Sequence, residues 1–149
     1  MTSSEYDALA AAVRLRYANC AAMVDASLRR YRPFDVKRTY SPEELEPYDA
    51  LCDRYLRAVE MAIRYFRTFE RARLAVNSES YRDLLGNAAK WGLITDVDLW
   101  FRMRDLHNRI AHDYLPEHLL RIYEAISGEF GTELLRLRDH LAAPSANKA

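Results

Sequence analysis

The chain has 149 residues, half of them hydrophobic, with 22 basic and 22 acidic side chains and a formal net charge of zero. That length suits a single domain with a sizeable core, and the charge balance argues against a nucleic-acid binder that works through a broad basic patch. All the cations except Lys37, Lys90 and Lys148 are arginines, so local, bidentate recognition of phosphate stays open.

Ala, Leu, Arg and Glu dominate and Gly is scarce, a composition that favours helix over sheet. Apolar residues recur at helical spacing from about 4 to 32 (Leu9, Val13, Tyr17, Cys20, Met23, Val24, Leu28), which predicts a first helix capped by Ser3 or Ser4. Its cationic end, Arg29-Arg30-Tyr31-Arg32, suits a helix C-terminus, and Pro33 stops it. Ser41-Pro42-Glu43-Glu44 carries a cap, a first-turn proline and a Glu three residues on, the start of a second helix reaching about Leu74. Pro47 falls early enough in it to be a first-turn residue or a small kink. Leu51, Tyr55, Leu56, Val59, Ile63 and Phe66 are expected to face inward. The outer face, with Arg54, Arg57, Arg64, Arg67, Arg71 and Arg73 among Asp53, Glu60 and Glu70, reads as solvated and salt-bridged. Ser80 caps a short third helix that Gly92 stops. Thr95-Asp96-Val97-Asp98 opens a fourth, with Leu99, Trp100, Met103, Leu106 and Ile110 on its buried side. After a break at Tyr114-Leu115, Pro116 starts a fifth that runs through Ile122, Ile126, Phe130 and Leu134 to Leu141.

The expected fold is therefore all-α, an up-and-down bundle of about five helices, with one domain over 1–142 and a disordered tail over 143–149. Cys20 and Cys52 lie far apart, without metal or redox spacing, and read as small buried hydrophobes. No apolar run approaches the roughly 20 residues that cross a bilayer, and no leader-like stretch opens the sequence. A cytoplasmic protein without a membrane partner is expected.

Candidate chemistry concentrates in one stretch, Arg102-Met103-Arg104-Asp105-Leu106-His107-Asn108-Arg109-Ile110-Ala111-His112-Asp113-Tyr114. On a helix, Arg104, Asn108 and His112 follow one another at intervals of four and form an outward stripe, with Arg109 beside them. A histidine near neutrality can accept a proton, arginine can hold a phosphate through two bonds, and an amide can orient a hydroxyl. Those are the requirements for driving an RNA 2′-hydroxyl onto its own phosphate without a metal. The structural alternatives are a helix-end histidine satisfied by the dipole, and arginines paired with Asp105 or Asp113. His107, His112 and His118 do not share a helical face as metal ligands would, and zinc spacings and Gly-rich phosphate loops are missing, so no metal or cofactor is expected. His118 and His140 read as surface residues.

The text Asn108-Arg109-Ile110-Ala111-His112-Asp113-Tyr114 resembles the HEPN superfamily, in particular its HepT-like proteins. That family's motif places an Arg five residues before the His, then a polar residue, often Asn, and commonly a Tyr two after the His. Asn108, His112 and Tyr114 match it; the position of the Arg holds His107. The resemblance implies a bundle that forms a homodimer with two motifs facing across a twofold cleft. It implies a metal-independent endoribonuclease, the toxin of a toxin–antitoxin pair, neutralised by an MNT-type nucleotidyltransferase. His112 would be the base, with Asn108, His107, Arg109 and Arg104 orienting RNA, and Tyr114 the residue that is adenylylated. Related HEPN proteins instead serve nucleotidyltransferases as companions that bind a substrate or nucleotide, without catalysis.

Overall fold

A computed structural model describes residues 1–112 and 115–143 of the chain. Among them every regular element is a helix: α1 (Ser3–Arg29), α2 (Pro42–Leu74), α3 (Tyr81–Lys90), α4 (Val97–Ile110), and a fifth helix broken into α5 (Pro116–Ala125) and α6 (Gly131–Ala142). The all-α bundle is as expected. Asp113, Tyr114 and 144–149, which include most of the expected tail, lie outside the described residues.

Short-range hydrogen bonds set most of the boundaries. Ser41 accepts from the Glu44 N–H while the Glu44 carboxylate returns to the Ser41 N–H, and Ser80 and Asp96 cap α3 and α4 through Asp83 N–H and Leu99 N–H. At the start of α1 the cap is Thr2 rather than Ser3 or Ser4, in a reciprocal box with Glu5. The same S/T-x-x-E pattern lies one residue earlier than expected. α1 ends at Arg29, before the cationic run is complete. Pro47 sits inside α2, past its first turn, and the helix continues through it.

α1 and α2 form a long hairpin whose buried seam includes Val13, Tyr17, Ala21 and Val24 from α1 and Leu51, Tyr55, Val59 and Phe66 from α2. Met23, expected inside, is exposed at 48 %, and Leu56, Ile63, Cys20 and Cys52 are only partly buried. α4 lies along α2, with the Trp100 ring edge-on to Phe66 at 5.2 Å and the Tyr55 hydroxyl donating to the Met103 carbonyl at 2.6 Å. Across the bundle, the Tyr17 hydroxyl donates to Leu134 O at 2.6 Å. The core thus joins helices through tyrosine-to-carbonyl bonds as well as apolar contact, which leaves the buried phenols satisfied.

Two expectations fail for physical reasons. Glu70, placed on the solvated face by its neighbours, is 2 % exposed. The loop after α2 folds over it, and its carboxylate accepts from Ser78 N–H at 2.6 Å, Ser78 Oγ–H at 2.8 Å and the Asn87 amide at 3.2 Å. Ala75, in the left-handed region at φ 54°, makes that reversal. The fifth helix is not continuous: Ile126–Phe130 form a π-helical turn in which Gly128 leaves helical geometry at φ −106° and ψ −119°. The break brings Gly131 against α1, where a Cβ would meet Leu28 Cδ1 at 2.9 Å and the Ile126 carbonyl oxygen at 2.2 Å. Only glycine fits.

Candidate functional site

α4 carries the candidate residues and is fixed at its start. Asp96 caps it, the Tyr81 hydroxyl donates to Trp100 O at 3.3 Å and Tyr55 holds Met103 O. The Trp100 indole N–H donates to Glu133 Oε2 at 2.7 Å, and Arg136 closes the set by bonding Glu133 and the Leu93 carbonyl at 2.9 Å. Burying a carboxylate is costly unless it has such partners. This anchor, which joins α4, α6 and the α3–α4 loop, has no signature in sequence spacing.

With Leu99, Trp100 and Met103 facing the core, Arg104, Asn108, Arg109 and His112 are exposed. The stripe points outward as its spacing requires. Arg104 does not pair with Asp105; its guanidinium lies over the Tyr81 ring, 4.2 Å from the centroid, a cation–π contact that leaves its outer edge open. Burial pushes the Tyr81 phenol up to about 12, although Arg104 and Arg67 pull the other way. Arg102 is engaged twice, with Asp98 at 3.3 Å and Glu129 at 3.1 Å. His112 lies just past the end of α4, in the turn where its N–H donates to Arg109 O at 2.9 Å. Tyr114, the residue matched to the adenylylated tyrosine, and Asp113 lie outside the described residues.

His107 is the exception to the open stripe. Its side chain is 24 % exposed, and Nε2 faces Glu60 Oε1 at 3.0 Å on α2, while Nδ1 lies 3.2 Å from Asn108 Oδ1. A ring donating at both nitrogens is doubly protonated; with the Asn108 amide turned over, Nδ1 accepts and the neutral ring suffices. In either form both nitrogens are occupied. A phosphate that reaches His107 must compete with Glu60 or Asn108 for the ring. Glu60 is the site residue that sequence reasoning missed: it lies 47 positions from His107, among other charges on a polar helix face, and no spacing rule joins the two.

Charge recruitment here is local. Arg104, Arg109, Asn108 and His112 present donors and one imidazole on a single exposed ridge, with Glu60 as a carboxylate at its edge. Among the described residues no group of His, Cys, Asp and Glu is arranged to hold a metal ion, and no helix is long and apolar enough to cross a membrane.

Comparisons with known proteins put this helical bundle in the HEPN/HepT-like class. The chain belongs to the family described as nucleotidyltransferase substrate binding protein like, whose family model matches residues 17–143. It is also similar to a protein of Haemophilus influenzae (strain ATCC 51907 / DSM 11121 / KW20 / Rd) named probable ribonuclease HepT. Identity is 30 % over 69 residues, which cover 43 % of this chain and 47 % of that protein. The match therefore spans about half the length of the relative. No solved structure matches the chain.

Proposed function

We propose that the protein is a HepT-like toxin: a cytoplasmic, metal-independent endoribonuclease with a composite site across a homodimer, neutralised by an MNT-type nucleotidyltransferase antitoxin. The observation that carries the reading is the exposed ridge of Arg104, Asn108, Arg109 and His112 on a helix anchored at its start, in a chain of this family. In the reaction, His112 accepts the proton of the RNA 2′-hydroxyl as that oxygen bonds to the adjacent phosphorus. The bond from phosphorus to the 5′ oxygen breaks, water protonates the leaving oxygen, and a 2′,3′-cyclic phosphate results. Arg109 and Arg104 stabilise the charge that builds on the phosphoryl oxygens, and Asn108 orients the hydroxyl. Tyr114 is the acceptor for the partner's nucleotidyl group.

A second reading has an observation of its own. His107 stands where the motif has arginine, and Glu60 holds it, so the strongest phosphate fork of the motif is missing. That favours a catalytically inactive companion that binds substrate or nucleotide for a nucleotidyltransferase.

Purified protein, His112→Ala and His107→Arg incubated with total tRNA in EDTA separate the two. Cleavage by the wild type that His112→Ala reduces by a factor of about 100 or more, the ordinary contribution of a general base, supports the ribonuclease. No cleavage by wild-type dimer, with cleavage gained in His107→Arg, refutes it in favour of the companion.

A further inference from the structure

A second feature lies at the turn of the α1–α2 hairpin, the other end from α3. Between the end of α1, the 31–41 loop and the first turns of α2 is a cleft of about 740 Å³, within the range of small-molecule sites. Its walls are chemically divided. One carries Arg30, Tyr31 and Arg32, in the segment where α1 has just ended, together with Arg54 from α2. The other carries Glu43, Glu44 and Glu46.

The floor is aromatic and preformed. Tyr48 is buried and its hydroxyl donates to the Arg32 carbonyl at 2.8 Å, fixing the backbone where Arg32 leads into Pro33. Tyr31 stands edge-on to Tyr48 at 6.2 Å and remains half-exposed within the cleft. Phe34, stacked on Tyr40 at 4.8 Å and edge-on to Tyr48 at 5.3 Å, backs the floor from below.

The charged groups divide into committed and uncommitted ones. Arg38 pairs with Glu44 and covers the Tyr40 ring at 4.7 Å. Arg54 donates to Ser27 Oγ at 2.8 Å and the Met23 carbonyl at 3.2 Å. Arg30 and Arg32 make no side-chain hydrogen bond or ion pair among the described residues, and neither do Glu43 and Glu46. Two planar forks and two carboxylates thus stand free in the lining of one cleft that also holds a tyrosine.

We propose that this cleft binds a nucleoside 5′-phosphate. The base stacks on Tyr31, the phosphate is held by the Arg30 and Arg32 guanidiniums, and Glu43 and Glu46 accept from the ribose hydroxyls and base amino groups. The acidic wall selects against a bare polyanion, so the ligand must carry donors at one end and phosphate at the other. A free mononucleotide and the 5′-phosphorylated end of an RNA share that chemistry. The cleft shares no lining residue with the ridge. It does not depend on the ribonuclease reading.

The test is calorimetric titration of the full chain in EDTA with AMP, adenosine, inorganic phosphate, and a short RNA with and without a 5′-phosphate. AMP or the phosphorylated RNA should bind at least about tenfold more tightly than adenosine, inorganic phosphate or the unphosphorylated RNA, the contribution of one charge-assisted contact set. AMP binding identifies the free nucleotide; binding of the phosphorylated RNA alone identifies the RNA end. The double variant Arg30→Ala/Arg32→Ala, both sites exposed, should keep the wild-type melting temperature and lose at least about tenfold in affinity. Tyr31→Leu should weaken AMP binding without affecting that of phosphate. Equal affinity for AMP and inorganic phosphate, no binding of any nucleotide or RNA, or undiminished affinity in the arginine double variant overturns the proposal. Cleavage of RNA is not a readout, so loss of the ribonuclease reading leaves this result intact.

Discussion

Replacing Glu60 by Gln should strengthen binding of RNA to the α4 ridge. The Glu60 carboxylate lies 3.0 Å from His107 Nε2, at the position that the motif reserves for a phosphate-holding arginine. A phosphate oxygen drawn to the same imidazole would come within about 6 Å of that carboxylate, two hydrogen-bond lengths end to end. Because the Glu60 side chain is 67 % exposed, a water-like dielectric applies. Coulomb's law then gives a repulsion of about 0.7 kcal/mol per phosphate charge, a factor of about three in affinity. The gain must be screened: the Debye length shrinks from about 30 Å at 0.01 M salt to about 3 Å at 1 M. Fluorescence anisotropy of a labelled single-stranded RNA in EDTA, at those two salt concentrations, reads both effects. Glu60→Gln should bind about threefold more tightly at low salt and indistinguishably at high salt. Equal or weaker binding by the variant at low salt would show that Glu60 does not oppose phosphate, and the reasoning about position 107 would fail with it.

Three further outcomes concern the scaffold. Trp100→Phe removes the donor to buried Glu133 and should cost about 1–3 kcal/mol, nearer the low end because Arg136 still bonds the carboxylate. The melting temperature should fall by about 2–4 °C per kcal/mol, and an unchanged value would mean that the indole bond adds nothing. Ala75→Gly relieves a left-handed alanine at φ 54°. The strain of about 1–2 kcal/mol, less the added freedom of the unfolded glycine, leaves a stabilisation of about 0.5–1 kcal/mol measurable by urea denaturation. The Tyr81 phenol, pushed up to about 12, holds its proton in the folded state beyond the pH at which the unfolded chain releases it. Its contribution is complete below about pH 10 and is lost as pH rises toward 12, steepening the fall by up to about 1.4 kcal/mol per pH unit. Urea titrations across that window should show a shallower fall in Tyr81→Phe.

What could be read from sequence was local. Ser41, Ser80, Asp96 and Gly92 announce the limits of α2, α3 and α4 because each acts within a few residues of itself. The outward stripe of Arg104, Asn108 and His112 was legible for the same reason, since helical spacing alone decides which face opposes Trp100 and Met103. The fifth helix was misread because Ile122, Ile126, Phe130 and Leu134 keep their inward register on both sides of Gly128, so the apolar pattern conceals the break. Glu70 and Glu60 were invisible as anything but surface charge. One is made by a loop that folds back over it, the other by a helix that arrives 47 residues later. Burial and pairing of that kind arise only in three dimensions.

The clamps on α4 are uneven, and this has a consequence for how the ridge moves. Its first two turns are tied to the core by the Asp96 cap, Tyr81, Tyr55 and the Trp100–Glu133 bond, whereas its last turn meets the described residues of the rest of the protein through contacts that include the His107–Glu60 pair and the flanks of Leu106 and Ile110. Opening free energy should therefore fall along the helix, with amide protons of 100–104 exchanging only on global unfolding and those of 109–112 exchanging through local fraying. The stretch that carries Asn108, Arg109 and His112 can rearrange around a bound strand while the core stays closed. Ordering it then becomes part of the free energy of binding, and anything that docks beside the last turn of α4 can tune affinity simply by holding that turn wound or letting it open.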